Sequence, residues 1–313
     1  MASKQFVIGI DGGGTKTAAL LADLQGNVLA EETAGPSNFQ IIGVEQAATT
    51  LFSVAEACCR KAGLSLEQVR RVVAGLTGAG RAVDQQRMQK GFESYAQAKG
   101  VSFERVVIES DARIALEGAF KGGAGIILIC GTGSIAFGKS HSGQVFRVGG
   151  WGRILGDEGS GYAIGRDALN AVTRQLDGRG RKTLLADLIA RRFNLRTQEE
   201  IITAVYRENF DLASVAPLVI EAAEQHDTES ERILNKATFE LTEHVRSLVL
   251  MLEAASPERA RQKIPLAFIG SVISNESVFT RILTHKITFS LPQISIVKPQ
   301  ASPSYGAVLL ALQ

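Results

Sequence analysis

One order of strands and turns occurs twice in the chain, and it restricts the fold more than any other feature of the sequence. Residues 6–11 form a short apolar run ending at Asp11, followed by a glycine-rich turn, a second strand, a polar turn and a third strand. The same order begins again at Ile126, where residues 126–129 precede a second glycine-rich turn. Apolar runs bounded by glycine and polar turns are typical of strands. The repeated order predicts two similar cores flanking one cleft.

Helical and strand-like segments alternate through the rest of the chain. Apolar residues at three- and four-residue steps indicate helices, and short apolar runs indicate strands. Helices are predicted at residues 44–58, 83–98, 112–120, 234–252 and 305–312, and strands at residues 69–74, 105–109 and 266–269. This alternation predicts the α/β class.

Composition and charge exclude several classes of partner. The 313 residues are 45% hydrophobic, which is enough apolar material for two buried cores. Lys and Arg number 34 and Asp and Glu 32, so no strong field exists to attract nucleic acid or an anionic membrane. No signal-peptide pattern precedes Phe6, and no apolar run reaches the length of a membrane span. We therefore expect a cytoplasmic protein whose partners are small molecules.

The cysteines do not indicate a metal site. Cys58, Cys59 and Cys130 have the spacing of neither a zinc site nor a disulfide framework. We expect all three to be buried as small apolar residues.

The first glycine-rich turn, residues 12–15, follows a carboxylate at the end of a strand. Its three consecutive glycines allow a ligand to approach the backbone, whose N–H groups suit phosphate oxygens. A triphosphate needs a counter-charge, so Asp11 is expected to hold Mg²⁺ through water. The turn is neither a Walker A motif nor a dinucleotide fingerprint. Taken alone, it is also explained by a plain hairpin connection, and the same holds for the second turn, residues 131–134.

Asp111 follows the strand predicted at residues 105–109, with Ser110 between them, and precedes a predicted helix. A carboxylate at the carboxyl end of a strand in an α/β sheet points to the ligand edge, which suits a general base. The alternative is that Asp111 caps the following helix. Both roles are compatible.

Residues 149–161 contain six glycines, two adjacent acids and the single tryptophan of the chain. Because glycine is entropically costly to order, such a run is expected where backbone meets a polar ligand. Asp157 is suited to accept hydrogen bonds from ligand hydroxyls, and Trp151 to stack on a sugar face. A surface loop is the alternative for the run, and a core position is the alternative for Trp151.

Six segments also occur in the order found in one large superfamily. They are residues 11–17, 109–113, 130–134, 151–161, 270–275 and 304–310. They resemble the phosphate 1, connect 1, phosphate 2, family-specific, adenosine and connect 2 segments of the superfamily of acetate kinases, sugar kinases, heat-shock chaperones and actin. Gly-Gly-Trp-Gly followed by Gly-Asp-Glu-Gly-Ser resembles the N-acetylglucosamine kinases, grouped with bacterial glucosamine kinases and the activator ATPases of acyl-CoA dehydratases and reductases. The resemblance extends over essentially the whole chain.

The resemblance implies two ribonuclease-H-like domains of the actin-like ATPase type, flanking a cleft. The implied domains are residues 1–117 with 302–313, carrying the sugar and first phosphate loop, and residues 118–301, binding the nucleotide. The implied ATP contacts are Gly13, Gly14, Thr15, Thr132, Gly270, Ser271 and Ser274. The implied sugar contacts are Asn38, Asp111, Ser134, Gly150, Trp151, Gly152 and Asp157, with Asp111 as the base and Asp11 at the metal. The sequence departs from the pattern at Ser271, where many relatives have a second glycine, and at Ile135, often polar in related kinases.

The implied reaction is transfer of the γ-phosphoryl group of ATP to the 6-hydroxyl of N-acetylglucosamine, with Mg²⁺ on the phosphates. The alternatives are a glucosamine kinase, which shares every phosphate motif, an activator ATPase with a cysteine-bound iron–sulfur cluster, and a non-catalytic sugar-binding regulator. The His and Cys zinc cluster of the related repressor, open-reading-frame and kinase family is missing from the sequence, so we expect no structural zinc. Whether the chain forms a homodimer is left open.

Overall fold

A computed structural model describes residues 5–259 and 262–313, apart from the side chain of Arg259. The expectation that no targeting segment precedes Phe6 falls mostly outside these residues. The chain divides into two compact units. Unit 1 comprises the described residues up to Gly123 together with Lys298–Gln313, and unit 2 comprises Ala124–Val297. No helix in the described ranges has the length and hydropathy needed to cross a bilayer.

The strands and helices follow one another in an α/β order. The strands are β1 (Phe6–Gly12), β2 (Thr17–Asp23), β3 (Val28–Ala34), β4 (Val69–Leu76), β5 (Arg105–Ser110), β6 (Gly125–Cys130), β7 (Ser134–Lys139), β8 (Val145–Gly149), β9 (Ile264–Ile269) and β10 (Ile294–Val297). The helices are α1 (Phe39–Ile42), α2 (Val44–Lys61), α3 (Ala82–Ala98), α4 (Asp111–Ala119), α5 (Gly161–Leu176), α6 (Leu184–Phe193), α7 (Gln198–Arg207), α8 (Ala216–Glu224), α9 (Thr228–Ala255), α10 (Val278–Ser290) and α11 (Pro303–Ala311).

Each unit contains a five-stranded mixed sheet, and the two sheets have the same topology. The strand order is β3-β2-β1-β4-β5 in unit 1 and β8-β7-β6-β9-β10 in unit 2. In both sheets the first three strands of the chain pair antiparallel, and the last two run parallel to the first. The predicted α/β class with two ribonuclease-H-like sheets is confirmed.

Strand β1 is the central strand of unit 1 and is buried on both faces. This is expected for a strand that pairs in parallel with β4 in a sheet covered by helices on both sides. Alternate residues of a strand point to opposite faces. Ile8 and Ile10 accordingly pack in a core with α2 and α3, whereas Val7 packs in a second core with Ile114 of α4 and Val308 of α11.

The backbone of helix α11 packs directly against the backbones of β1 and α4. A Cβ atom at Gly306 would lie 1.9 Å from the carbonyl oxygen of Ile114, and one at Gly9 would lie 2.4 Å from that of Ser304. A side chain at either position would force the neighbouring backbones apart, so these glycines allow α11 to pack directly on the sheet.

Helix α9 is the longest helix of the described residues and forms much of the core of unit 2. The apolar stripe predicted over residues 234–252 is confirmed, because Leu234, Leu241, Val245 and Leu248 are fully buried. An amphipathic helix of this kind gains stability chiefly from burying one face.

Candidate active site

Three polar side chains meet at one edge of the unit 1 sheet because three strands run parallel there. The register pairs Gly12 of β1 with Leu76 of β4, and Leu76 with Ser110 of β5. The carboxyl ends of these strands therefore lie side by side, which is where α/β sheets bind ligands. Asp11, Thr77 and Asp111 occupy this edge.

The first glycine-rich turn joins β1 to β2 at the same edge. The Gly13 N–H donates to the Lys16 carbonyl oxygen (2.9 Å), and the Gly13 carbonyl accepts from the Ser37 N–H (3.0 Å). A Cβ atom at Gly12 would lie 2.2 Å from the Ser37 hydroxyl oxygen, whereas one at Gly14 would meet no atom within 4 Å. The turn is thus fixed at its base and open at Gly14 and Thr15, as a phosphate loop requires.

Asp11 is half-buried at the end of β1, and its environment suits a cation. Burial and the nearby charge of Asp111 raise the pKa of the Asp11 carboxyl to about 6, although Lys16 opposes the shift. Two neighbouring carboxylates repel until a positive charge joins them. No group of three or more metal-ligating acids, histidines or cysteines occurs among the described residues. Mg²⁺ fits such a sparse donor set, since it retains waters and takes few carboxylates.

Asp111 is the first residue of α4, and both of its carboxylate oxygens are held. Its Oδ1 accepts from the Ala112 N–H (2.8 Å) and its Oδ2 from the Thr77 hydroxyl (2.8 Å). The alternative capping role for Asp111 is wrong, because Ser110 is the N-cap and accepts from the Arg113 N–H. The Asp111 carboxylate is therefore held in one orientation at the sheet edge, and Ser110 is the N-cap of α4.

Asn38, a predicted sugar contact, lies on the loop between β3 and α1. It caps α1 by accepting from the Gln40 N–H (3.1 Å), and the Gln40 amide donates to the Gly78 carbonyl (3.2 Å). A Cβ atom at Gly78 would lie 3.1 Å from the Asn38 Oδ1. These contacts tie Asn38 to the loop that follows Thr77, so unit 1 brings Asn38, Asp11 and Asp111 to neighbouring loops.

In unit 2, the second glycine-rich turn joins β6 to β7 and is attached to the start of α5. The Gly131 carbonyl accepts from the Gly161 N–H (2.8 Å), and the Thr132 carbonyl accepts from the Tyr162 N–H (3.1 Å). Thr132 is exposed at the tip of the turn. The turn therefore resembles the first one in being fixed at its base and open at its tip.

Asp157 reaches this second turn from the glycine-rich run, residues 149–161. Its backbone has a φ of 56°, in the left-handed region that Asp adopts more readily than most residues with a side chain. The Ser134 N–H donates to the Asp157 Oδ1 (3.4 Å), and a Cβ atom at Gly133 would lie 3.1 Å from the carboxylate. The Ser134 hydroxyl is buried and donates to the Glu158 carbonyl (2.7 Å). Unit 2 thus brings the predicted contacts Ser134 and Asp157 together.

Trp151 is exposed, which makes the alternative core position wrong. Its side chain is 71% accessible, and the Arg147 guanidinium carbon lies 5.8 Å from the centre of its ring. Gly150 and Gly152 flank it with φ values of 68° and 81°, and the Gly150 N–H donates to the Ser134 carbonyl (3.0 Å). The predicted contacts Gly150 and Trp151 are therefore adjacent to Ser134 within unit 2.

A cavity of about 390 Å³ in unit 2 begins at the second turn and is large enough for a nucleoside. One wall is formed by Thr132, and a second by Ser271 and Asn275 after β9. Gly270 has a φ of 106°, and a Cβ there would lie 2.3 Å from the Cys130 carbonyl oxygen, so only glycine fits. Of the predicted contacts, Thr132 and Ser271 line the cavity, whereas Ser274 is exposed and outside its lining. The Ser274 N–H donates to the Gly270 carbonyl (2.9 Å).

The remaining wall of this cavity was not predicted from the sequence. It consists of Asp211, Ala213, Pro217 and Ile220, from the segment before α8 and its first turns. Asp211 accepts from the Ala213 N–H (3.0 Å) and so caps a short 3₁₀ turn. The Asp at a cap position and Pro217 in the first turn of α8 were the signals for a helix start here.

All three cysteines are buried and unpaired, as predicted. Each has a relative accessibility of 0%, and burial raises the pKa of the Cys58 thiol to about 11 and that of the Cys59 and Cys130 thiols to about 12. These residues are protonated core side chains at neutral pH.

Two repeated ribonuclease-H-like sheets, each with a glycine-rich turn after its central strand, define the fold class of the sugar kinases. The chain belongs to the BadF/BadG/BcrA/BcrD ATPase family, whose model matches residues 8–311. It is 34% identical over 310 residues to an N-acetylmuramic acid/N-acetylglucosamine kinase of Clostridium acetobutylicum, covering 98% of each chain. It is 32% identical over 322 residues to an N-acetyl-D-glucosamine kinase of Dictyostelium discoideum, covering 99% of this chain and 98% of the relative. The solved structure of a proposed N-acetylglucosamine kinase from Chromobacterium violaceum matches 99% of both chains with a TM-score of 0.71 and 28% identity.

Proposed function

We propose that this protein transfers the γ-phosphoryl group of ATP to the 6-hydroxyl of N-acetyl-D-glucosamine, giving the 6-phosphate and ADP. The oriented carboxylate of Asp111, beside the first glycine-rich turn, carries the proposal. The names of the two full-length relatives supply the substrate class.

Unit 1 contributes the proposed base and the proposed metal ligand. In unit 1, Asp111 accepts the proton of the sugar hydroxyl as the new oxygen–phosphorus bond forms and the bond to the ADP oxygen breaks. Thr77 keeps the accepting carboxylate oriented. Asp11 would hold Mg²⁺, which neutralises charge on the phosphates when bound.

Most of the proposed ligand contacts lie in the two turns and the glycine-rich run, whereas Asn38, Gly270, Ser271 and Ser274 lie in other loops. The proposed ATP contacts are Gly13, Gly14, Thr15, Thr132, Gly270, Ser271 and, more remotely, Ser274. The proposed sugar contacts are Asn38, Ser134, Gly150, Trp151, Gly152 and Asp157. Backbone N–H groups and a carboxylate provide the donors and acceptor that sugar hydroxyls and phosphate oxygens need.

The buried cysteines argue against the activator ATPase. A cluster held between subunits needs thiolates at a surface, whereas Cys58 and Cys59 lie in the core of unit 1 and Cys130 in that of unit 2. An iron determination on the purified protein checks this reading.

A coupled assay of ATP turnover with Mg²⁺ tests the proposal. The acceptors are N-acetylglucosamine, N-acetylmuramic acid, glucosamine, N-acetylmannosamine, glucose and no sugar. We expect the highest kcat/KM with N-acetylglucosamine and phosphorus NMR of the product to show a 6-phosphate. A preference for glucosamine or N-acetylmuramic acid would correct the substrate and keep the mechanism. Sugar binding without turnover on any acceptor would favour a non-catalytic regulator and refute the kinase.

A further inference from the structure

A second cavity of unit 2, of about 400 Å³, is lined mainly by arginine side chains. It lies where the end of α5, the loop after α5 and the start of α9 meet. Arg174, Arg179, Arg181 and Arg232 line it, with Glu229 as the acidic residue of its lining. Four guanidinium groups around one concave volume create a local positive potential, although the whole chain is nearly neutral.

Two of these arginines are paired with carboxylates, and two are not. Arg232 Nε lies 2.9 Å from a Glu229 oxygen, and Arg179 Nη2 lies 2.5 Å from an Asp177 oxygen. Arg174 and Arg181 are exposed, and neither forms an ion pair within residues 5–259 and 262–313. Their charges are available to a ligand.

The loop that carries these arginines is anchored at its start. The N–H groups of Arg179 and Gly180 both donate to the Arg174 carbonyl (2.9 and 2.8 Å). A Cβ atom at Gly180 would lie 2.9 Å from the Arg174 Cβ, so the loop packs tightly on the end of α5.

The same loop is also anchored at its end. Asp227, the cap of α9, accepts from the Thr183 hydroxyl (2.8 Å) and the Leu184 N–H (2.9 Å). Surface loops are usually mobile, whereas this one is hydrogen-bonded to the backbone of α5 and to the side chain that caps α9. The guanidinium groups are therefore presented by a fixed backbone.

This arginine cavity is separate from the 390 Å³ cavity beside the second glycine-rich turn of the same unit. The two lie at opposite ends of α5, because Gly161 at its start contacts the second glycine-rich turn and Arg174 lies in its last turn. A 16-residue helix is about 24 Å long. One small ligand cannot occupy both places.

We propose that the arginine cavity binds a small anion bearing a phosphate or diphosphate group. Guanidinium groups bind phosphate oxygens in bidentate pairs, and the volume is typical of a small-molecule site. The inference goes beyond the proposed kinase activity and does not depend on it, since binding is measured without turnover.

Calorimetric titration of inorganic pyrophosphate into the full chain, without Mg²⁺, tests the site. The test variant is Arg174→Gln with Arg181→Gln, and the matched control is Arg207→Gln, in the last turn of α7 and outside the cavity. We expect the double variant to bind at least about tenfold more weakly, which corresponds to about 1.4 kcal/mol. The control is expected to match the unsubstituted chain.

Equal pyrophosphate affinity in the double variant and the unsubstituted chain would overturn the inference, as would no binding at millimolar concentrations. Titrations of N-acetylglucosamine 6-phosphate and of ADP then distinguish the source of the phosphate. If the affinity for N-acetylglucosamine 6-phosphate depends most on Arg174 and Arg181, the ligand is a sugar phosphate; if the affinity for ADP does, it is a nucleotide. If only the affinity for pyrophosphate depends on these arginines, the ligand is inorganic.

Discussion

The carboxylate of Asp111 is oriented by hydrogen bonds to both oxygens before any sugar binds. An Asn at this position can keep both contacts, because its oxygen accepts from Ala112 and its amide donates to Thr77. It cannot take a proton from the sugar. We expect Asp111→Asn to lower kcat by about 10² to 10⁴ while the sugar Kd changes little. Steady-state kinetics and calorimetry of sugar binding measure the two effects.

Substitutions at Thr77 test whether the orientation of the Asp111 carboxylate affects turnover. Thr77→Ser keeps the hydroxyl that donates to Asp111, whereas Thr77→Val removes it at nearly constant volume. The serine variant is expected to stay close to the unsubstituted enzyme, and the valine variant to lose roughly tenfold in kcat. Unchanged turnover in Asp111→Asn would remove this carboxylate from the mechanism.

The environment of His244 makes the stability of the fold depend on pH. Its imidazole lies in α9 below Gly149, and its Nδ1 is buried without a hydrogen-bond partner among the described residues. Burial lowers the pKa of His244 below 6.5, although the carboxylates of Glu158, Glu240 and Asp157 oppose this. As the pH falls below about 6.5, the unfolded chain therefore binds more protons at this histidine than the folded chain does, and folding stability declines.

We expect His244→Gln to flatten this acidic decline in the free energy of unfolding. Urea unfolding between pH 5 and pH 8 measures the slope, and the absolute stability of the variant does not affect the comparison. His141→Gln, at an exposed histidine, is the control and is expected to keep the original slope. Identical slopes for both variants would contradict the assignment.

Part of the candidate site could be predicted at this scale, and part could not. Asp11 and Asp111 were predicted because each follows an apolar run, and strand ends carry ligand groups in α/β sheets. The partnership of Thr77 with Asp111 joins residues 34 positions apart. Only the register of β4 with β5 brings them together, and register depends on packing across the whole sheet.

At the scale of elements, the contact between α11 and α4 is specified by Gly306. A methyl group there would lie 1.9 Å from the Ile114 carbonyl oxygen, so the helices must separate. We expect Gly306→Ala to lower the free energy of unfolding by about 1–3 kcal/mol, despite the better helix propensity of alanine. The midpoint of urea unfolding followed by circular dichroism measures the change.

Gly80→Ala is the matched control in the same unit. A Cβ atom at Gly80 would meet no atom within 4 Å, and its backbone has an ordinary φ. This variant should lie within about 0.5 kcal/mol of the unsubstituted chain. Equal unfolding midpoints for the two variants would show that α11 does not pack on α4 at this distance.

The elements predicted from the sequence are those with a strong local period. Strand β1 shows a clear apolar pattern and was predicted to within one residue of its observed bounds. The apolar stripe of α9 was predicted, but the helix begins at Thr228 and ends at Ala255, outside the predicted residues 234–252. Strand β10 was missed because it has only four residues, Ile294–Val297, and its place is fixed by parallel pairing with β9. Helices α5 to α8 were not predicted separately, although Thr197 with Glu200 at the start of α7 and Pro217 in the first turn of α8 are helix-start signals in the sequence.

In the whole molecule, the proposed base lies in unit 1, and the cavity proposed to hold ATP lies in unit 2. ATP bound in unit 2 alone therefore lacks an acceptor positioned by Asp111. We expect ATP hydrolysis without sugar to be at least about 10³-fold slower than transfer to the preferred sugar. Release of phosphate measured with and without N-acetylglucosamine tests this, with a non-phosphorylatable 6-deoxy sugar as the control for occupancy. Hydrolysis as fast as transfer would contradict a sugar-dependent mechanism.

Helix α11 completes unit 1, although all of unit 2 precedes it in the chain. On the ribosome, β1 to β5 emerge first and then wait while residues 124–297 are translated. At about 5–20 residues per second this interval is roughly 10 to 40 s, during which the face of β1 that contacts α11 stays uncovered. The residues of unit 2 are contiguous, so its core needs no segment from later in the chain. The unit that is translated first therefore cannot complete its core until the last strand of the other unit has been translated.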